Sequence, residues 1–578
     1  MNQITHVIDS EELINGLSHF LSNCVKKDEW FLDEEKVSCL TGMTFSGVLT
    51  KNAGVNVWIE LLIKKCYKKV KGGAFRAKTG AVVLDYLAAE GSIESYTILG
   101  NLKAKATYNP FIKALNSRMN KFKNLLKEYT QEQLEDVVIP SFSLNEDYFR
   151  TRAIGDYQAK LSIDDYKTIL IFEKDGKTVK SVPKELREHH KGEVDELKAI
   201  GKGITESLKG QSNRIEKSWL SLRTWSFEDW DKYLMENNFM KYLTEKLIWI
   251  VEDGNGIHNV LFHKSNFKNA TGEIVTLSSP FKISLWHPAT STVEEVENWR
   301  NYIFENKIKQ PFKQAYREVY KLTPAEENTY DFSNRFAGQT LNGNTLYALG
   351  KARMWTMSYE EAPYIKLPNL DLAGWLGVSG GVLYSSPTTE DVRFYKLKEY
   401  AKSKQLDYSE KISLNEIPEI IFSEVFRDID LFVSVANFYL DPYLPTNTED
   451  ELLVGNWNSQ NFGEKSKTPI ATIRKQLLQK IIPMTNIAKQ CSFVDNALVV
   501  EGKLKTYKIN LGSGNILMKP NDQYLCIVPS STAKEEKKVW LPFSEGDKVL
   551  MIILSKAFLL AKDDKITDLS ILGQINRT

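Results

Sequence analysis

The period of the hydrophobic pattern changes near Pro140, and that change commits the chain to a mixed architecture. Before it, apolar residues recur every three or four positions. Leu13, Leu17, Phe20, Leu21 and Cys24 form one such set, and Trp58, Leu61, Leu62 and Cys66 another. A third runs through Phe111, Ile112, Leu115, Met119, Phe122 and Leu126. It opens after Asn109-Pro110, which reads as an N-cap followed by proline at the first helical position. Each set lays one apolar stripe along a helix. Beyond Pro140 the period falls to two: Tyr157, Ala159, Leu161 and Ile163 alternate, and Thr168–Phe172 is rich in β-formers. Asp175-Gly176 then supplies a hairpin turn before Thr178–Val182.

Helical spacing returns in Leu197, Ile200, Ile204, Leu208, Gln211, Ile215 and Trp219. Ser226 with Asp229, and Thr292 with Glu295, resemble capping boxes, the first opening a helix expected to run toward Trp249. Phe281–Trp286 reads as a strand ending at His287-Pro288. Residues 323–410, rich in Gly, Pro and aromatics, are expected to be the least regular, and the Asn/Gly-rich stretch 442–467 to form a junction. Strands are expected at 499–510, 515–519 and 524–529, followed by an apolar helix at 548–562. A chain of 578 residues exceeds what one core usually supports. The expected fold is therefore α+β and multi-domain. A helical, repeat-like N-terminal layer (1–140) is followed by a mixed α/β body (141–440) and a small C-terminal α/β unit (468–578).

Composition removes several function classes. Hydrophobic residues make up 42% and the chain has 12 Trp and 25 Tyr, which rules out a disordered polymer. The five cysteines (Cys24, Cys39, Cys66, Cys491, Cys526) are far apart and form no CxxC pair, so reduced, mostly buried thiols are expected rather than a disulfide framework or zinc ribbon. No apolar run approaches the roughly 20 residues of a membrane span, and Asp9, Glu11 and Glu12 do not suit a signal peptide. A cytoplasmic location and no membrane contact are expected.

The charge is uneven. Lys51 to Glu128 holds 15 Lys and Arg against 5 Asp and Glu; with a net charge of +1, the remainder carries a net −9. Lys64, Lys65, Lys68 and Lys69 cluster on one expected helix, and Lys121, Lys123 and Lys127 on another. Such a face neutralises phosphates in a salt-sensitive, sequence-independent way, or simply keeps a helical layer solvated. It makes an anionic ligand, nucleic acid included, a candidate partner.

Residues with chemical potential are few. Glu424, Arg427, Asp428 and Asp430 form the densest acidic cluster; Glu424 and Asp428 share a helical face, where Arg427 would neutralise them. Paired carboxylates of this kind hold Mg²⁺ in phosphoryl-transfer sites, with Arg427 or Arg335 stabilising developing charge. A self-paired polar helix face is the plainer reading. His287 before Pro288 is read first as a satisfied structural histidine and second as a catalytic one. His189-His190 diverge in direction, and His258 and His263 flank a strand edge, so neither pair makes a metal site. Gly377-Val378-Ser379-Gly380-Gly381 matches GxSxG without the strand-to-helix context of a nucleophile elbow. Leu511-Gly512-Ser513-Gly514-Asn515 reads as a tight turn, with an anion cradle as the alternative.

An ordered series of motifs carries a family resemblance. It comprises VIPSFSLN at 138–145, GDY at 155–157, QSNRIE at 211–216 with Arg223 and Trp225, and WHP at 286–288. It continues with QPFKQAYRE at 310–318, SNRFAG at 333–338, Phe422–Ala436, LGSG at 511–514, YLCIVP at 524–529 and ILSKAFLLA at 553–561. Over roughly residues 75–575 this succession resembles MolR-like bacterial proteins, whose central domain has no assigned function. Larger members carry an added WGR module associated with nucleic acids; no such module is expected here. The resemblance implies a regulatory role in a bacterial stress or conflict (phage-defence-like) system. It also implies a protein partner, a MoxR-type ATPase or a von Willebrand A-domain protein. The leading expectation is an interaction or regulatory protein binding a protein partner or an anionic ligand. The alternative is a Mg²⁺-dependent nuclease or phosphohydrolase built on the acidic cluster.

Overall fold

In a computed structural model the chain is mixed α+β. The structure describes residues 10–576 except 107, 123–130, 138, 140, 279–280, 359–360, 381, 383–385, 401–402, 437–467 and 528–538. It divides into two compact units: one of Met1–Glu216, Thr224–Asn269 and Ile274–Ser284, the other of Lys217–Arg223, Ala270–Glu273 and Leu285–Thr578.

The first unit opens with helices α1 (Ser10–Lys26), α2 (Glu34–Leu49) and α3 (Ala53–Cys66). A short hairpin, β1 (Lys69–Val70) and β2 (Gly73–Ala74), precedes α4 (Ala77–Glu90), α5 (Ile93–Lys105), α6 (Asn109–Met119) and α7 (Gln131–Val137). The expected stripes are the core: Leu17, Leu21, Cys24, Trp58, Leu62 and Cys66 are buried against Val83, Leu84 and Leu99. Local chemistry sets the ends. The Asn52 side chain accepts from the Gly54 and Val55 amides at the start of α3, and Gly91 ends α4 in the left-handed region. The α6 cap lies one residue earlier than the sequence suggested: Tyr108 is the N-cap, without a side-chain bond, and Asn109 is already helical.

After this layer comes an antiparallel meander, β3 (Phe149–Ile154), β4 (Tyr157–Asp164), β5 (Lys167–Lys174) and β6 (Lys177–Val179), in sequential order. The alternation in β4 sends Ala159, Leu161 and Ile163 inward. Asp175 and Gly176 close the β5–β6 turn with φ of 51° and 72°, the two positive angles a type I′ hairpin demands. Helix α8 (Lys184–His189) and the 31-residue α9 (Lys191–Ser221) follow. Ile154, Ala159 and Phe172 pack with Leu186, Val194 and Leu197.

The helix expected from Ser226 to Trp249 does not form as one piece. Ser226 does cap, accepting from the Asp229 amide. However, α10 (Phe227–Trp230) passes into a π turn, Asn237 caps a new helix α11 (Asn238–Thr244), and Trp249 belongs to strand β8 (Ile248–Asp253). The run Ile-Trp-Ile-Val pairs with β9 (Gly256–His263), which carries both His258 and His263, inside the sheet β10–β9–β8–β11–β7. The remaining strands of that sheet are β7 (Thr224–Ser226), β10 (Asn266–Lys268) and β11 (Lys282–Leu285).

In the second unit Thr292 caps α12 (Val293–Glu305) as expected. The stretch expected to be least regular holds α13 (Pro324–Thr329), α14 (Gly343–Ala352) and a four-stranded antiparallel sheet. That sheet runs β12 (Tyr364–Leu367), β13 (Leu372–Ser379), β14 (Thr388–Tyr400) and β15 (Ser403–Ile412). Register shifts at Leu376/Val378 and at Tyr395/Lys396 break the alternation that would have announced it. Helix α15 (Glu419–Ala436) covers the sheet through Phe422, Val425, Phe426 and Ile429. A Cβ on Gly374 would stand 3.0 Å from Val425, so glycine lets helix and sheet approach. Helix α16 (Pro469–Ile481) precedes the meander β16 (Cys491–Val494), β17 (Ala497–Glu501), β18 (Thr506–Asn510), β19 (Ile516–Met518) and β20 (Gln523–Leu525). The expected strand at 499–510 is thus a hairpin of two. Helices α17 (Lys548–Leu560) and α18 (Leu569–Ile575) end the unit. Among the described residues no helix is long and apolar enough to cross a membrane.

Candidate functional site

Gln310–Glu318 is buried at every residue, yet none of it is helix or strand. Buried backbone without a ladder must find other partners, and here side chains supply them. Gln310 accepts from the Ala315 amide and donates to Gln314, which donates to the Trp286 carbonyl. The Gln310 backbone joins Pro542 and Ser544, and Arg300 donates to the Ala315 carbonyl.

The charged members of this segment anchor two ionic groups. In the first, the Lys313 ammonium lies 2.9 Å from Glu318 and 3.0 Å from Asp547. Arg427 reaches Glu318 at 2.7 Å and Glu545 at 3.5 Å, and Arg474 reaches Asp547 at 3.0 Å. Burial pushes both carboxyls up, but the adjacent cations outweigh it. Lys313 and Arg427 hold Glu318 far below the carboxylate range, and Lys313 and Arg474 hold Asp547 at about 2.

In the second group Arg317, with no exposed surface, makes a two-pronged pair with Glu424, its Nε 2.8 Å from Oε1. The guanidinium stacks 4.7 Å from the Trp219 ring, which meets the His287 ring edge-on at 4.8 Å. His287 Nδ1 accepts from the Ala289 amide at 3.0 Å, so the ring proton sits on Nε2 and is donated to Glu424 at 3.1 Å. Burial pushes the His287 pKa down despite this carboxylate, keeping the ring neutral at physiological pH. Its geometry is that of a satisfied structural histidine.

The acidic cluster of α15 is arranged otherwise than its spacing suggested. Arg427 does not neutralise Glu424 and Asp428; it turns to Glu318 and Glu545. Asp428 pairs with Arg353 and accepts from the Trp355 indole at 2.9 Å, and Asp430 accepts from the Tyr320 hydroxyl at 2.5 Å. Burial raises the pKa of both. Glu424 and Asp428 lie one turn apart on the same face yet meet different neighbours, and Asp430, two residues further on, points to another side of the helix. Among the described residues no group of three or more His, Cys, Asp or Glu is placed to hold a metal. Arg335 stands apart, bound to Glu326 and the Lys321 carbonyl.

The basic residues of the first unit do not form one free face. Lys64 pairs with Glu60 and Glu206; Lys65 pairs with Asp28 and donates to the Val25 carbonyl; Lys121 pairs with Asp85. Lys68 and Lys69 are exposed, and Lys123 and Lys127 lie outside the described residues. The remaining motifs are structural. Gly377–Ser379 is strand, and Gly381 lies outside the described residues. The Gly512 and Ser513 amides, which an anion cradle would need, bind the Asn510 side chain, while Arg474 and Lys556 hold the turn's carbonyls. His190 meets Glu193 and His258 meets Asp253. Only Cys24 and Cys66 among the five cysteines are buried. An open depression of about 390 Å³, lined by Gly155, Tyr157, Glu173 and Asp175 among others, contains none of the candidate residues.

Sequence reasoning missed Lys313, Glu318, Arg353, Arg474 and Asp547. Its available signal was the QPFKQAYRE stretch, where polar and apolar residues mix without either period.

Comparison with known proteins finds two regions of similarity. A family described as a domain of unknown function (DUF4132) matches residues 176–355, and another so described (DUF7737) matches residues 471–575. The chain is 25% identical over 308 residues to the uncharacterized protein YehI of Escherichia coli (strain K12), covering 51% of this chain and 25% of that protein. It therefore spans about a quarter of the length of the curated relative it matches. No solved structure matches. The buried polar segment at 310–318 lies inside the first matched region, and Arg474 and Asp547, which complete its ionic group, lie inside the second.

Proposed function

We propose that this chain is a MolR-like interaction or regulatory protein of the bacterial cytoplasm rather than an enzyme. Its partner is a protein, of the MoxR-type ATPase or von Willebrand A-domain class, in a stress or conflict system. One observation supports this reading above the others: the α15 carboxylates that the enzyme reading needs are already engaged. Glu424, Asp428 and Asp430 are nearly sealed from solvent, and each has its own cation or hydrogen-bond donor. Reacting groups need an accessible, convergent arrangement, and this one is closed. A body rigidified by internal ion pairs suits a scaffold that presents its surface to a partner.

The test mixes the full chain with the MoxR-type ATPase and the von Willebrand A-domain protein encoded in the same genome, read by size-exclusion chromatography with light scattering. A stoichiometric complex with either is expected. The reading is overturned if neither co-elutes at about micromolar concentration, the range of ordinary specific association. Mg²⁺-dependent phosphate-ester or nucleic-acid hydrolysis lost in Glu424→Gln would overturn it too, in favour of the enzyme.

A further inference from the structure

From Leu61 to Leu84 the sequence holds seven Lys and Arg and not one Asp or Glu. Lys64 and Lys65 are neutralised by acids from elsewhere in the unit. The other five, Lys68, Lys69, Lys71, Arg76 and Lys78, are all exposed, and among the described residues no ion pair engages any of them. They are gathered on the β1–β2 hairpin and the start of α4. The hairpin's base is fixed: the Phe75 amide donates to Lys68 O at 2.9 Å, the Arg76 amide to Cys66 O at 2.8 Å, and the Phe75 ring packs edge-on against Phe31. Its tip is Gly72-Gly73, with φ of 98° and 143° and open space where side chains would stand.

This placement opposes local stability. Helix N-termini carry positive partial charge and favour acids in the first turn. The α4 N-terminus has none; Arg76 is its N-cap and makes no side-chain cap bond, and Lys78 follows in the first turn. Five cations with no ion pair among the described residues repel one another as well. Side chains that cost folding energy without an internal partner point outward, to a ligand that repays them.

We propose that the β1–β2 hairpin and the adjoining start of α4 form a binding site for the phosphate backbone of a nucleic acid, read without sequence preference. Four of the five cations are lysines, point charges on flexible stems, which suit a repeating row of phosphates. A single phosphorylated side chain would call for the bidentate fork of arginine. A membrane surface would call for apolar anchors beside the charge, and the tip offers one exposed apolar residue, Val70. The acidic balance of the remaining chain directs a polyanion to this one region.

The experiment measures fluorescence anisotropy of the full chain with a labelled DNA duplex and with single-stranded RNA, each of about 20 nucleotides per strand, a length that spans a row of phosphates. Five phosphate contacts give a slope of about −4.5 for log K against log salt on duplex, or a loss of about 500-fold between 50 and 200 mM. Each of Lys69→Ala, Lys71→Ala, Arg76→Ala and Lys78→Ala is expected to flatten that slope by about 0.9 regardless of sequence, and the four together to abolish binding. Lys202→Ala, an exposed lysine on α9, is the charge control and changes neither. Circular dichroism checks that the variants fold. Three results overturn the proposal: no binding of either nucleic acid at 50 mM salt, undiminished binding by the folded quadruple variant, or equal affinity for anionic phospholipid vesicles.

Discussion

Replacing Lys313 by Met tests whether the ionic group around residues 310–318 carries the stability of the second unit. Three cations (Lys313, Arg427, Arg474) face three carboxylates (Glu318, Glu545, Asp547) there, and Lys313 bridges two of them at 2.9 and 3.0 Å. Methionine keeps the length of the stem and removes the charge, leaving one buried carboxylate in excess. Breaking a buried pair from one side costs about 3–5 kcal/mol. In a unit of about 300 residues, with unfolding entropy near 2.1 cal/mol/K per residue, that lowers the melting temperature by about 5–8 °C. The sign with pH follows from Asp547. Its folded pKa of about 2 lies below the ordinary aspartate value of 3.8, so its stabilisation is complete above about pH 4 and fades as pH falls toward 2. Without Lys313 the folded pKa rises and that contribution is lost. The gap between wild type and variant is therefore widest at neutral pH and closes in acid. Melting followed by tryptophan fluorescence from pH 3 to 8 measures it. Adding Asp547→Asn to the variant should cost less than the two single changes summed. A shift under about 1 °C, far below the expected effect, or a gap that stays constant with pH, would refute the assignment.

Other consequences are equally open to measurement. Glu424→Gln strands the Arg317 guanidinium in the interior and should destabilise by about 3–5 kcal/mol in denaturant titration; Arg317→Met added to it should recover part of that loss. Gly80→Ala should destabilise although alanine is the better helix former, because its Cβ would stand 2.6 Å from the Tyr67 ring and 2.9 Å from Cys66. About 1–3 kcal/mol is expected for such overpacking, and an unchanged melting temperature would contradict it. In thiol labelling of the native chain, exposed Cys39 and Cys526 should react promptly. Burial pushes Cys24 and Cys66 to about 12, so those two should react only on unfolding.

Much of the fold was legible where one period ran unbroken. The stripes of α1 and α3, the alternation in β4, the Asp175-Gly176 turn and the caps at Ser226 and Thr292 all appear where local chemistry put them. The sheet β12–β15 was missed because bulges, glycines and prolines interrupt its alternation. The helix toward Trp249 was overextended because helical spacing ran on into residues that pair as a strand. For the site, Glu424, Asp428 and His287 could be singled out by residue type, whereas their partners could not. Glu424 finds Arg317 at a separation of 107 residues, and Lys313 finds Asp547 at 234. No local pattern encodes such a meeting.

By itself the sequence determined helix or strand where one period ran unbroken, and where positive charge accumulates, because periodicity, capping and charge are properties of neighbours along the chain. Only the tertiary structure decided what the charges do. It closed the acidic cluster of α15 into separate buried pairs, turned Arg427 away from its own helix toward Glu318, and divided the early lysines into those already neutralised and those on the hairpin left facing solvent. The physical reason is that a charge takes its meaning from the groups within a few ångströms and from its access to water, and both are fixed by the packing of residues remote in sequence.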